Sequence, residues 1–395
     1  MKYAIILPDG AADEPLEVLD GRTPLEAANL PNINWISTHG RQGRVRTVPK
    51  GFTPGSDVCT MSLFGYDPRR DYSGRAPIEA AARGITVGGH DLVLRCNLVT
   101  IVDGVLEDFT AGHISTSEAA ALIADLNQQV AGASARFHPG VSYRHLLVMK
   151  DADDVHCTCT PPHDIIGQKA QRHLPHGPGA DRVNALMDRA ETMLRAHAVN
   201  DVRSDLGENP ANHIWLWGQG RSRSLEPFRE RYGLRGAVIA AVDLTRGLGR
   251  MLGMDVIDVE GATGYLDTNY RGKGQAAVAA LDTYDLVVVH VEAPDEAGHN
   301  GDADAKIQAL ERVDQHVVGP VLEKLRTFDE WKILVAPDHP TPVAKRTHTA
   351  DPPPFCLAGT GVHTVLARPM TERAAATSDL QIEPGYTLMQ YFLKR

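Results

Sequence analysis

A chain of 395 residues exceeds what one hydrophobic core usually organises, so two domains are expected, and 43% hydrophobic with 23% charged residues is ordinary for a soluble globular protein. The formal net charge of −10 weighs against nonspecific nucleic-acid binding, but it leaves room for a small anionic substrate in one locally positive cleft. No apolar run approaches the roughly 20 residues that cross a bilayer, and Asp9 stops the first run before a signal-peptide core forms, so a cytoplasmic protein without a membrane partner is expected.

In chain order, Lys2–Leu7 reads as a buried strand that ends at Asp9. Pro54-Gly55-Ser56-Asp57 then reads as a turn that caps a helix through Val58–Leu63. The middle of the chain differs in character. It holds strand-like Asp91–Val102 and Tyr143–Met149, a helix over Ser115–Val130, and a loop rich in His, Pro and Gly over Thr158–Gly179. After it, Ala276–Leu281 reads as helix and Leu286–Val291 as a strand leading to Glu292 and Asp295. Lys306–Leu325 carries apolar residues at helical spacing, and Lys332–Val335 is a strand leading to Asp338 and His339. This alternation predicts an α/β core with a mostly parallel sheet. Candidate functional residues lie on both sides of the middle block. The economical division is therefore a core of residues 1–79 and 212–395 with an inserted α+β cap domain over 80–211.

The five cysteines are odd in number and scattered, which suits a reducing compartment rather than a disulfide framework. Cys157-Thr-Cys159 lies near His156 and His163 in sequence, but no second Cys pair completes a soft-metal site, so it reads as packing or exposed thiols.

Chemistry concentrates at the strand ends, where parallel sheets place their ligands. Asp295 and His299 stand four residues apart and share one face if their segment is helical. Asp338-His339 and His348 follow the next strand, and Asp9 follows the first. These three carboxylates and three imidazoles suffice for two divalent ions with mixed oxygen and nitrogen ligands, which suits Mn²⁺, Zn²⁺ or Mg²⁺. Ser56 is the candidate nucleophile: no Gly-x-Ser-x-Gly elbow accompanies it, and an adjacent metal or base would have to remove its proton.

Taken together, Asp9-Gly10, Pro54-Gly-Ser-Asp57, Gly65-Tyr-Asp-Pro68, Ser73-Gly-Arg-Ala-Pro-Ile-Glu-Ala-Ala81, Asp295-Glu-Ala-Gly-His299 and Asp338-His339-Pro340 resemble the archaeal-type, 2,3-bisphosphoglycerate-independent phosphoglycerate mutases of the alkaline phosphatase superfamily. The resemblance implies an alkaline-phosphatase-like core, an inserted cap, and two divalent ions, Mn²⁺ first, with Mg²⁺, Zn²⁺ or Co²⁺ as alternatives, and no 2,3-bisphosphoglycerate. By match of motif, Asp295, His299 and His348 would hold one ion, and Asp9, Ser56, Asp338 and His339 the other. Arg75, Arg144 and Lys273 are the candidate charges for a small phosphorylated hydroxy acid, with His113, His163 and Asp164 as cap residues facing it. Ile214–Gly220 and Gly261–Asn269 look particularly like a bacterial branch of the family proposed to act as homoserine kinases. The readings are therefore a mutase working through phosphoserine, a kinase on the same scaffold, or a non-catalytic metal-binding regulator. Composition and motifs leave the oligomeric state open.

Overall fold

The computed structural model of the protein describes residues 1–394. Two compact units divide the chain: Met1–Tyr72 with Leu225–Arg395, and Ser73–Ser224.

The larger unit is built on an eight-stranded sheet. Its order is Gln381–Ile382, Arg41–Val45, Pro354–Gly359, Trp331–Val335, Lys2–Pro8, Leu286–Val291, Gly236–Ile239 and Asp255–Ile257. The last five strands in that order run parallel to one another, and only the pairings made by Pro354–Gly359 are antiparallel. The central strands, Lys2–Pro8 and Leu286–Val291, are buried almost throughout, as apolar runs covered on both faces must be. Helices Pro31–His39, Tyr270–Thr283, Ala303–Val313 and Gly319–Leu325 supply that cover through Ile33, Ile36, Ala277, Leu281, Leu310, Val313, Val321 and Leu325. Trp331–Val335, Lys2–Pro8 and Leu286–Val291 are immediate neighbours, so their carboxyl ends deliver Asp338, Asp9 and Asp295 to one edge of the sheet.

The helix expected over Lys306–Leu325 is interrupted. A π-turn occupies Asp314–Val318 before Gly319–Leu325 resumes. Pro320 lacks the N–H that a regular turn would use, and the widened turn presents Asp314 to the start of the Pro31–His39 helix. The Asp314 carboxylate accepts the Ile33 N–H at 2.7 Å and the Asn32 N–H at 3.2 Å.

The smaller unit carries a five-stranded antiparallel sheet. Leu92–Val102 pairs with Arg144–Met149, with His213–Arg221 and, at its far end, with Val105–Asp108, and Ala135–His138 lies outside Arg144–Met149. Helix Thr116–Gln129 opens with a capping box between Ser115 and Glu118, and with Ala180–Arg195 it packs Leu122, Leu126, Val183 and Leu186 into the core.

Both ends of the expected insert move outward by several residues. Helix Arg75–Ala82 buries Ala76 and Ala80 against Val93, Leu146 and Val148 of the smaller sheet. His213–Arg221 pairs with Leu92–Val102 along its length. Helix and strand meet at two glycines. A Cβ on Gly74 would lie 2.4 Å from the Gln219 carbonyl oxygen, and one on Gly220 would lie 2.2 Å from that of Ser73. Both glycines are in the sequence motifs quoted above, and close backbone approach is what they permit.

Candidate active site

Each acidic strand end is shaped by its local backbone. Asp9 leaves the first strand fully buried, and Gly10 follows at φ +62°, where a Cβ would lie 2.6 Å from both Cα and Oδ1 of Asp295. Only glycine allows the first and fifth motifs to touch here. Asp295 and His299 lie on one face of helix Ala293–Asn300, as their spacing predicts.

Ser56 is the first residue of helix Ser56–Leu63, and the capping position belongs to Gly55. Its hydroxyl is therefore not committed to capping. Ser56 Oγ lies 3.3 Å from Asp9 Oδ2 and 3.3 Å from His339 Nε2.

Around it the ionisable groups form two linked clusters. In one, His339 Nε2 lies 3.4 Å from Asp9 Oδ1 and 3.4 Å from Asp338 Oδ2, and all three side chains are fully buried. In the other, His299 Nε2 and His348 Nε2 are 2.8 Å apart and each is 3.3 Å from an oxygen of Asp295. His339 joins them: its Nδ1 is 4.0 Å from Asp295, and its ring lies 4.0 Å, centroid to centroid, from that of His348. All seven sequence-predicted ligands thus converge.

Electrostatics decides whether this donor set suits a metal. Asp9, Asp338 and Asp295 are buried together. Burial, and then Asp338, raise the Asp9 carboxyl well above its ordinary range. Burial also works on Asp295, but hydrogen bonds from His299 and His348 outweigh it and hold that carboxyl low. The same Asp295 contact lifts the His299 imidazole to about 9. Asp9 Oδ1 and Asp338 Oδ2 are buried and accept no hydrogen bond. Buried carboxylate oxygens left unpaired beside imidazole nitrogens are costly to the bare protein and fit divalent cations. The triads Asp295–His299–His348 and Asp9–Asp338–His339 each bring their ligand atoms within 4.8 Å of one another.

Four further groups complete the surroundings. His290, inside the Leu286–Val291 strand, is fully buried with its Nε2 3.0 Å from Asp9 Oδ2, and burial holds it down at about 4. Its only sequence signal was an imidazole within an otherwise apolar run. Glu292 forms a third close group with Asp9 and His290, and burial followed by Asp295 pushes its carboxyl up to about 8. Thr341 donates its hydroxyl to Asp295 Oδ1 and lies 3.3 Å from His339 Nδ1. Lys273 is fully buried and donates to the His290 carbonyl at 3.2 Å, with its ammonium lowered to about 8 by burial, against the pull of Glu292.

The remaining candidates lie in the smaller unit along one chain of contacts. Arg75 donates to Glu79 at 3.1 Å, Arg95 reaches the same carboxylate at 3.2 Å, and the Arg95 guanidinium sits 4.1 Å over the Trp217 ring. Trp217 meets His163 at 5.2 Å, His163 meets Phe109 at 6.1 Å, and Phe109 meets Tyr143 at 5.8 Å. Tyr143 touches His113 at 6.3 Å and Arg144 at 5.6 Å. His163 stands 3.7 Å from Asp164. Arg75, His113, Arg144, His163 and Asp164 are exposed. Arg95, Tyr143, Phe109 and Trp217 were missed because nothing in sequence ties them to the exposed residues they support.

Comparison with known proteins gives one consistent result. A family profile described as 2,3-bisphosphoglycerate-independent phosphoglycerate mutase matches residues 37–200. A Methanothrix thermoacetophila protein of that name is 52% identical, over 92% of this chain and 92% of its own. A Geobacter sulfurreducens protein named as a probable member is 46% identical over the whole of both chains. Among solved structures, the cofactor-independent phosphoglycerate mutase of Thermoplasma acidophilum superposes with a TM-score of 0.72 at 28% identity, covering 100% of this chain and 99% of that one. A Pyrococcus horikoshii protein superposes with a TM-score of 0.85 at 28% identity, covering 99% and 96%.

Proposed function

The chain belongs to the 2,3-bisphosphoglycerate-independent phosphoglycerate mutase family, and on that premise we propose that it interconverts 2- and 3-phosphoglycerate through a phosphoserine on Ser56. The observation that carries this reading is the uncommitted Ser56 hydroxyl, 3.3 Å from both Asp9 and His339 at the start of a helix. Asp295, His299 and His348 would hold one divalent ion, and Asp9, Ser56, Asp338 and His339 a second. Bound there, Mn²⁺ or a similar ion would compensate the buried carboxylates, favour ionised Ser56 and offset charge on the phosphoryl group.

The chain's own groups then do the following. Asp9 and His339 fix the direction of Ser56 Oγ, so that it meets the substrate phosphorus in line. The bond from Ser56 Oγ to phosphorus forms as the bond to the 3-oxygen of the substrate breaks, and glycerate leaves with a proton on that oxygen. Glycerate turns over, its 2-hydroxyl takes the phosphoryl group from Ser56, and Ser56 recovers its proton. Arg75, Arg144 and Lys273 are assigned to the substrate's charges, and His113, His163 and Asp164 to its hydroxyl and carboxylate ends. Residues 73–224 act as the cap that excludes water from the phosphoserine, since water would turn the mutase into a phosphatase.

A metal-supplemented assay of the purified protein tests the reading. Turnover of 3-phosphoglycerate without nucleotide is expected. Phosphorylation of homoserine from ATP, with no conversion of 3-phosphoglycerate, would replace the mutase by a kinase on the same scaffold.

A further inference from the structure

The five cysteines fall into two kinds. Cys59, Cys96 and Cys356 are fully buried single thiols, and burial pushes each well above its ordinary range. Cys157 and Cys159 instead face each other, with their sulfurs 3.7 Å apart. Alternate residues of an extended segment point to the same side, and Thr158 between them is held extended by a bridge to His176. Neither cysteine belongs to any of the groups that could hold a metal among the described residues. The contact itself differentiates the two thiols. The bond from Cys159 holds Cys157 down at about 7 against the opposing effect of burial, while the same bond raises Cys159. Cys157 is buried and Cys159 half-buried, so the pair meets solvent through Cys159, which favours a small oxidant over a peptide disulfide.

We propose that Cys157 and Cys159 form a redox-active dithiol that a small peroxide closes to a reversible disulfide, weakening substrate binding. The Cys157 thiolate attacks one peroxide oxygen, giving a sulfenic acid and hydroxide. The Cys159 thiol then attacks the Cys157 sulfur, the S–S bond forms and water leaves. Two electrons pass from the two sulfurs to the peroxide, and each oxygen departs reduced. Closure draws the sulfurs from 3.7 Å to about 2 Å, and the proposal is that the short segment joining them shifts as it does so. That backbone is tied on both sides: Gln219 donates to the Cys157 carbonyl at 3.0 Å, and the Trp215 indole donates to the Thr160 carbonyl at 2.8 Å. His163 and Asp164 follow directly. The effect on substrate binding rests on the assignment of those two residues above, whereas the disulfide does not.

The test treats the purified, reduced protein with hydrogen peroxide and maps cysteines by peptide mass spectrometry without reduction. A Cys157–Cys159 disulfide is expected, with Cys59, Cys96 and Cys356 still alkylatable after unfolding. Dithiothreitol should restore all the thiols, and the disulfide should be absent from Cys157→Ser and Cys159→Ser, both folded and active. On the oxidised wild type, KM for 3-phosphoglycerate should rise about tenfold, while the two variants stay unchanged under peroxide. Separate sulfinic or sulfonic acids on the two cysteines, or no reaction at all, overturn the dithiol. A mapped disulfide with an unchanged KM overturns its coupling to substrate. If the reduced enzyme turns over no 3-phosphoglycerate, the functional reading fails while the disulfide map still decides the thiol chemistry.

Discussion

The two units hold their functional charges in opposite ways. In the larger one, Asp9, Asp338 and His339 are fully buried at the ends of two neighbouring strands, and two of their carboxylate oxygens accept no hydrogen bond. In the smaller one, Arg75, His113, Arg144, His163 and Asp164 are exposed and rest on a line of aromatic rings. Burial of the first group is costly to the bare protein and suits a cation that would complete it. The exposed group costs little to maintain and suits a ligand that must enter, turn and leave. Metal binding and substrate binding should therefore respond to different mutations.

The largest expected effect is at Asp338. Asp338→Ala removes a buried carboxylate and should reduce turnover about 10³-fold, on the order of 4 kcal/mol, with weakened metal binding by calorimetry. Near-normal activity would remove Asp338 from the metal site. Thr341→Val keeps shape but deletes the hydroxyl that orients Asp295. Metal affinity should fall about 10- to 100-fold while KM for 3-phosphoglycerate, measured at saturating metal, stays put. A changed KM with intact metal affinity would blur the division between the units.

Acid should act on the smaller unit through His145. Burial, reinforced by Arg83, holds this imidazole down at about 3, and its Nδ1 accepts the Gly140 N–H at 3.0 Å, a bond that protonation would end. The unfolded chain binds a proton here below about pH 6.5 and the folded chain does not. The neutral form's contribution is thus complete above pH 6.5 and is lost as pH falls toward 3. Between pH 7 and 5 that loss is about 2 kcal/mol, and His145→Gln should flatten the slope in urea melts. An unaltered slope would clear His145. Smallest is Arg144→Gln, expected to raise KM about tenfold and leave metal affinity unchanged.

Much of the core was legible because strand ends are punctuated by charge. Asp9, Asp295 and Asp338 each follow an apolar run, and period and burial agree along Lys2–Pro8 and Leu286–Val291. His290 escaped notice because it sits inside such a run, where only the partner strand's Asp9 explains it. The ends of the insert were misplaced for a related reason: helix Arg75–Ala82 is amphipathic in any setting, and only Val93, Leu146 and Val148 reveal which sheet it covers. The motif around Ser56 opens a helix as its sequence predicts, but the capping position falls on Gly55 rather than on the candidate nucleophile. The Gly55 capping position frees the Ser56 hydroxyl, so Ser56→Ala should fold as wild type does.

That hydroxyl is where the account stands or falls. Wild-type protein loaded with Mn²⁺ and mixed with 3-phosphoglycerate should be quenched in acid within the first turnovers and mapped by peptide mass spectrometry. The account predicts one phosphopeptide, with the phosphate on Ser56 and none in Ser56→Ala. An unlabelled Ser56, together with an active Ser56→Ala variant, would contradict it and leave direct attack by water or the second hydroxyl as the route.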